Sequence, residues 1–369
     1  MFTAKAFGAL PDGGYYMNIA EHVRDGEGLV SDLSLAHKGA PTLPYPTDMY
    51  PLWPLLYGYL ARVFPIEPLG HWLPTALYFV ALLAGYRWAS QLREGELAPG
   101  WLPGFDAGHL FVLMLGCNGE FFRYTSYPYT EGLTYALVLV GLWRMNRLWP
   151  RPSLASGSEA GLWIGIATLA RKTLFLMALA LASVLLCAIA LQARHRRALA
   201  LMGTGATIGF LAVALPHYWY MTTAVPNMTP AGFLRWDQNQ HTDALSRLRM
   251  LRPAKSLTHY VRDRLSGLPI AFGSGHASYA RQYYTWQYGV LIAAPPAAAL
   301  LIRRLFSRRL DAVRDTFAPE NLSLTYAVVF ALAGFLSIHT LHLYPDASGE
   351  WMFASRHALT SLFLFFLAS

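Results

Sequence analysis

The sequence predicts an all-α integral membrane protein, and two observations lead to this fold class. Of the 369 residues, 54% are hydrophobic and only 14% are charged, whereas an ordinary soluble domain carries about a quarter charged residues. The apolar residues also come in long blocks, such as Leu73–Leu92 and Leu174–Leu191, which is typical of helices that span a bilayer. Because no stretch of roughly 100 residues lacks such blocks, as a separate soluble domain would require, a single membrane domain over residues 1–369 is expected.

The apolar blocks predict about nine spanning segments. These lie near residues 73–92, 105–121, 129–148, 159–171, 173–192, 199–221, 286–302 and 322–342, with an unfinished segment from about 355 to the end. Residues 162–191 could instead form one long helix with Arg171 and Lys172 near its middle. Two helices joined by a tight hairpin are favoured, because merging them would move the arginines that follow residue 193 to the opposite side of the membrane, against the positive-inside rule.

The orientation follows from the arginines and lysines of alternate short loops, since cytoplasmic loops carry the excess. One set of loops holds thirteen arginines: Arg87, Arg93, Arg144, Arg147, Arg151, Arg194, Arg196, Arg197, Arg303, Arg304, Arg308, Arg309 and Arg314. The other set holds only Arg123, Arg171, Lys172 and Arg356. The first set is therefore predicted to be cytoplasmic. The net charge of +8 arises largely from these clusters, so it indicates membrane topology and no nucleic-acid partner.

Two outer regions are too long to be simple turns, and any chemistry is expected there. Residues 1–70 contain short amphipathic or apolar stretches that more plausibly lie in the membrane interface than cross it. Residues 222–285 contain the amphipathic stretch AKSLTHYVRDRLSGL. The chain is expected to be truncated at both ends, because residues 1–11 hold no signal peptide or spanning helix, and the last apolar run stops at Ser369 before it could cross a core of roughly 30 Å.

Several motifs on the outer side can be read together. They are PDGGYY at Asp12, YPTDMYPLWPLLYGYL, RYTSYPYTEGL with Glu131, GLWIGIATLAR ending at Arg171, and FASRHAL with Arg356. In their order along the chain and their common position on the outer side of the membrane, these motifs resemble those of the GT-C glycosyltransferases. The resemblance is to the bacterial proteins similar to protein mannosyltransferases and lipid A aminoarabinose transferases. Three departures stand out: the family's first spanning helix is absent, its usual second acid is replaced by Gly13, and the C-terminal end is missing.

The resemblance implies a multi-pass GT-C-like bundle in the bacterial inner membrane, with its active site on the periplasmic side. Residues 1–70 and 222–285 would then be periplasmic loops. The implied activity is transfer of a hexosyl or pentosyl group from a polyprenyl-phosphate donor to a lipid, glycan or protein acceptor. The alternative is a multi-pass transporter or lipid flippase. Transporters, however, typically hold ionisable residues at the bilayer midplane and often show inverted repeats, whereas the charges here collect at one face.

Such a transfer requires a base for the acceptor hydroxyl and cations for the departing phosphate. Asp12 is the candidate base, although Pro-Asp-Gly-Gly is also a turn in which Asp caps the following helix. Arg171, Lys172 and Arg356 are the candidate cations, although arginines at helix ends more commonly snorkel to the interface. Glu131 could orient the acceptor or hold a divalent cation with Asp12. Alternatively, it could be a first-turn glutamate that interacts favourably with the helix dipole.

Other residues of the outer face are weaker candidates. Arg123 and Tyr129 could contact sugar or phosphate, although tyrosines here could equally be belt residues, and Asp48 could line the same cavity or be a solvated loop residue. A loose group of His339, His342, Glu350 and His357 has metal-ligand types but no compact zinc spacing. Whether a metal binds is left open by the sequence, and GTGATIGF lacks the Gly-Lys-Ser/Thr ending of a P-loop.

Overall fold

The computed structural model describes residues 11–32, 44–46, 50–91, 106–116, 128, 130–171, 174–224 and 315–330. Most of these residues are helical, which confirms the predicted helical class for this part of the chain. The spans predicted at 286–302 and from about 355 onward lie outside the described residues, as does most of the span at 322–342. So does the amphipathic stretch predicted within residues 222–285.

Eight named helices follow one another along the described chain. They are α1 (Pro11–Asp25), α2 (Leu52–Leu60), α3 (Ile66–Gln91), α4 (Ala107–Gly116), α5 (Thr130–Leu148), α6 (Leu154–Ala170), α7 (Phe175–Leu191) and α8 (Arg196–Ala224). A 3₁₀ turn at Ala193–His195 precedes α8, and residues 322–330 form a further helical stretch. Two short strands, β1 (Val30–Ser31) and β2 (Tyr45–Pro46), pair antiparallel with Val30 opposite Pro46.

The predicted break near Arg171 is confirmed. Helix α6 ends at Ala170, and Arg171 adopts an extended backbone with φ −160° and ψ 122°. Helix α7 begins at Phe175. The helical segment predicted at 73–92 starts earlier than expected, at Ile66, and both Pro68 and Pro74 lie within the helix. Pro68 lies in the first turn, where its missing N–H has no intrahelical partner. Pro74 lies inside the helix and removes one backbone hydrogen bond there.

The helices alternate in direction, so the bundle has two distinct ends. Helices α5 and α6 are antiparallel, since Glu131 faces Arg171 at one end of the pair and Arg144 faces Glu159 toward the other. The end that carries α1 and α2 is here called the α1 end. The opposite end, called the arginine end, carries the α5–α6 and α7–α8 connections with Arg147, Arg151, Arg194, Arg196 and Arg197.

Two long-range hydrogen bonds and one between neighbouring helices stabilise the α1 end. The Trp53 Nε1 donates to the Pro128 carbonyl oxygen at 3.2 Å, and the Tyr220 hydroxyl near the end of α8 donates to the Leu29 carbonyl oxygen at 3.1 Å. The Tyr57 hydroxyl donates to the Ile66 carbonyl oxygen, and burial raises the pKa of Tyr57, so the donor stays protonated. The first two helices are thus tied to the bundle at several points.

Helices α6 and α8 run parallel and approach each other closely along a series of glycines. A Cβ placed on Gly157 would lie 1.9 Å from the Met202 carbonyl oxygen, and one on Gly161 would lie 2.0 Å from the Ala206 carbonyl oxygen. Gly205 makes the reciprocal approach to α6. Small residues at four-residue spacing let helix backbones meet in this way, and such interfaces are frequent between helices in membranes.

Some large apolar side chains point away from the bundle, and buried alanines lie at contacts between helices beside large buried side chains such as Trp88. Leu83 on α3, Leu186 on α7, and Ile208 and Leu215 on α8 are exposed, while Ala81, Ala84, Ala160 and Ala206 are buried. Of the described helices, two are long and apolar enough to cross a membrane. They are Ile66–Gln91 and the stretch Ala193–Ala224, which includes the 3₁₀ turn. The prediction of about nine spans is thus supported at two segments.

Candidate functional site

A buried ion pair lies at the α1 end, between two residues that the sequence had already indicated. Glu131 lies in the first turn of α5, and Arg171 directly follows α6. The Arg171 Nη1 donates to the Glu131 Oε1 at 2.9 Å, and the two side chains are 13% and 5% exposed. The antiparallel packing of α5 and α6 brings together two charges that are forty residues apart in sequence.

The surroundings of the pair are apolar and aromatic. Buried Tyr16, Trp53, Leu133 and Ala170 belong to one hydrophobic cluster, to which α3 also contributes Leu69. In such a low-dielectric setting, an ion pair interacts strongly, and an unpaired charge is costly. The pair therefore lies where five helices, α1, α2, α3, α5 and α6, pack together.

Three tyrosines interact electrostatically with Arg171: Tyr16 on α1, Tyr50 just before α2 and Tyr135 on α5. None of the three was among the site residues predicted from the sequence. Tyr135 follows Glu131 by four residues, so helical spacing could have placed it beside the acid. For Tyr16 and Tyr50 the sequence offers no comparable signal, because they come from other elements.

The Arg171 guanidinium retains donor capacity. Its Nε is buried and has no hydrogen-bond partner among the residues that the structure describes. Arginine presents five N–H donors in a planar fork suited to carboxylate and phosphate oxygens. The geometry around Arg171 thus combines one occupied donor, at Nη1, with an unoccupied one at Nε.

Helix α1 brings Asp12 to this end of the bundle. Asp12 lies in the first turn of α1, one helical turn before Tyr16, which packs in the same cluster as Ala170. The side chain of Asp12 lies outside the described part of the structure. Pro11 and Asp12 suit a first helical turn, so both the structural and the catalytic interpretation of Asp12 still stand.

Polar side chains hold α1 against the segment that follows it. The Asn18 Oδ1 accepts from the Ser31 hydroxyl at 2.8 Å and from the Asp32 N–H at 3.0 Å. The two ring nitrogens of His22 contact the Glu27 Oε2 at 2.5 Å and the Asp32 Oδ2 at 3.0 Å. These contacts hold α1 against residues 27–32.

The remaining predicted site residues lie outside the described residues. They are Asp48, Arg123, Tyr129, Lys172 and Arg356, together with His339, His342, Glu350 and His357. Across the described ranges, no group of three or more His, Cys, Asp or Glu side chains is placed to hold a metal ion. The structure therefore brings together Glu131 and Arg171, with the helix that carries Asp12 packed beside them.

The fold and site define a helical bundle with two candidate membrane-spanning helices and a buried acid–arginine pair at one end. Comparisons of this chain with protein-family models, with curated proteins and with solved structures find no match. The resemblance to the GT-C glycosyltransferases stays a prediction.

Proposed function

We propose that the protein is a glycosyltransferase of the inner membrane. It would move a hexosyl or pentosyl group from a polyprenyl-phosphate donor to a lipid, glycan or protein acceptor at the periplasmic face. The observation that carries this proposal is the buried Glu131–Arg171 pair at the α1 end, with the Asp12 helix packed against the same cluster. Such a transfer requires a general base and a cation in a low-dielectric setting. Arg171 is the proposed cation, and α1 carries the proposed base, Asp12, to the same end of the bundle.

The exterior of the bundle supports a membrane location for this chemistry. Exposed Trp72 and Trp219 lie on α3 and α8 toward the α1 end, and tryptophans of this kind form belts at the membrane–water interface. The arginine end holds the clustered arginines that the positive-inside rule assigns to the cytoplasm. The proposed site would therefore face the periplasm.

In the proposed reaction, each charged residue has one task. The Asp12 carboxylate accepts the proton of the acceptor hydroxyl as its oxygen bonds to the anomeric carbon of the sugar. The bond between that carbon and the phosphate oxygen breaks, and the polyprenyl phosphate leaves with the bonding electron pair. Arg171, assisted by Lys172 and Arg356, stabilises the negative charge of the leaving phosphate.

The other predicted residues would position the substrates. Arg123, Tyr129 and Asp48 would contact the sugar or the acceptor, and Glu131 would orient the acceptor. A divalent cation held by Glu131 and Asp12 is compatible with the chemistry of two carboxylates. Chelation before the transfer assay distinguishes a metal-dependent reaction from a metal-independent one.

The proposal is tested by supplying membranes that contain the protein with radiolabelled polyprenyl-phosphate sugars. We expect the label to move to an acceptor, and we expect membranes carrying the Arg171→Ala variant at the same level to lose this transfer. Movement of the intact lipid-linked sugar across the membrane without transfer would identify a flippase instead. Absence of both activities with every donor offered would contradict the proposal.

The orientation gives a separate prediction. A reporter that fluoresces only in the cytoplasm should be bright when fused after Arg197, at the arginine end, and dark when fused within residues 224–285, because positively charged loops stay in the cytoplasm. Fluorescence of whole cells measures this, with immunoblots confirming equal amounts of both fusions. The reverse pattern would place the Glu131–Arg171 pair on the cytoplasmic side and overturn the proposed location of the site.

A further inference from the structure

The α5–α6 hairpin contains two glutamate–arginine pairs with contrasting surroundings. Toward the arginine end, the Arg144 Nε donates to the Glu159 Oε1 at 2.6 Å, and these side chains are 37% and 31% exposed. At the α1 end, the Glu131–Arg171 pair is 5% and 13% exposed. Water screens the first pair, while the second depends on mutual neutralisation.

Neutralisation by Glu131 conflicts with the binding of an anion to Arg171. A phosphate monoester would bring one to two further negative charges to a buried pair whose net charge is zero. In a low-dielectric site, the carboxylate and the phosphate repel each other strongly at short distance. One guanidinium can satisfy both ligands in hydrogen bonding, through Nη1 and the unpartnered Nε, but the charge balance favours one anion at a time.

We propose that Glu131 is an internal counter-ion that competes with the phosphate of the ligand for Arg171. The pair seen here is the resting arrangement, and a phosphate monoester binds by taking over the guanidinium, with Nε and a terminal nitrogen donating to two of its oxygens. Glu131 then loses its contact with Arg171. This inference rests on the proposed function, because it assigns a regulatory role to the same site.

The two possible roles of Glu131, competition with the phosphate and positioning of Arg171, predict opposite changes in phosphate affinity for the same substitution. If Glu131 competes, Glu131→Gln removes the rival charge and keeps the side-chain shape, so a polyprenyl monophosphate should bind about tenfold more tightly. If Glu131 merely positions Arg171, the same substitution should weaken binding. Binding to the purified full-length protein in detergent micelles, measured by calorimetry without any sugar present, distinguishes the two.

The second ion pair supplies a matched control. Glu159→Gln breaks an equivalent contact between the same two helices at the arginine end, and we expect it to leave the affinity unchanged. Arg171→Gln should abolish binding. An unchanged or weaker affinity in Glu131→Gln, or an equal gain in Glu159→Gln, would overturn the proposal.

Two further measurements keep the test decisive. If Glu131→Gln does not fold, Glu131→Asp is the second variant, because it retains the charge but shortens the side chain by one methylene. We expect an intermediate gain in phosphate affinity for Glu131→Asp, and the absence of any gain would contradict the competition. Inorganic phosphate and the neutral polyprenol are the other probes. If Glu131→Gln also binds inorganic phosphate more tightly, the site recognises the oxyanion alone. If the gain in affinity is confined to the polyprenyl monophosphate, the site recognises the lipid phosphate. Binding of the neutral polyprenol with the same affinity as the polyprenyl monophosphate would overturn the proposal.

The outcome separates this inference from the proposed function. Tighter phosphate binding by Glu131→Gln in a protein that transfers no sugar would preserve the competition and remove the transferase activity. Sugar transfer by the natural protein, combined with weaker phosphate binding by Glu131→Gln, would support the transferase activity and contradict the competition.

Discussion

Asp12→Asn is expected to lower sugar transfer by about 10² to 10⁴, the range that a positioned general base contributes. The substitution keeps the shape and hydrogen-bonding capacity of the side chain but removes the group that accepts the proton. Donor affinity should change little, because the phosphate is assigned to Arg171. Initial rates of transfer at several donor concentrations measure the turnover and the apparent affinity separately.

Asp25→Asn is the matched control for this prediction. Asp25 lies at the other end of α1, is exposed, and pairs with Arg24 at 2.7 Å. The Arg24 guanidinium lowers the pKa of the Asp25 carboxyl, so the residue is ionised at neutral pH and its substitution removes a comparable charge. Near-normal transfer by a folded Asp12→Asn protein would leave Asp12 as a helix-start residue only, and Asp48 or Glu131 would be the next base to test.

Gly161→Ala is expected to destabilise the bundle by about 3 kcal/mol, at the upper end of the usual cost of overpacking. The added methyl group would lie 2.0 Å from the Ala206 carbonyl oxygen and within 2.7 Å of the Phe210 nitrogen. These are backbone atoms, so helices α6 and α8 must move apart to accommodate it. Thermal unfolding of the protein in detergent, followed by circular dichroism, measures the effect.

Gly203→Ala provides the control on helix α8. Among the residues that the structure describes, a Cβ at Gly203 would approach only the Leu185 Cδ1, at 3.9 Å, which is ordinary van der Waals contact. Because alanine also favours a helix by about 1 kcal/mol over glycine, this variant should unfold at the same temperature as the natural protein or slightly higher. Equal melting temperatures for Gly161→Ala and Gly203→Ala would contradict the close approach of α6 and α8.

The glycine interface could have been recognised in the sequence. Gly157, Gly161 and Gly165 follow one another at four-residue spacing within an apolar block, as do Gly205 and Gly209. This spacing predicts a close helix contact in a membrane. It does not identify the partner, and only the structure shows that the two glycine series face each other in parallel helices.

The sequence by itself determined the helical class of the described residues and the break at Arg171. Long apolar runs are a one-dimensional signal, since the length needed to cross a bilayer is fixed. The alternation of arginine-rich loops likewise required that the chain turn between α6 and α7. The resemblance of the surrounding motifs to the GT-C glycosyltransferases indicated Glu131 and Arg171 as separate candidates, and the position of Arg171 on the arginine-poor side strengthened that choice.

Only the tertiary structure decided that Glu131 and Arg171 form a buried pair and that Tyr16, Tyr50 and Tyr135 surround it. Helix ends can be read from local sequence, but the neighbours of each end depend on which helices pack together and in which register. Tyr16 of α1 and Trp53 of α2 belong to one hydrophobic cluster with Leu133 and Ala170, which lie within two residues of the pair along the chain. The Trp53–Pro128 hydrogen bond joins segments 75 residues apart. The sequence gives the charge of each residue, whereas helix packing decides which counter-ion the residue meets and how low the surrounding dielectric is.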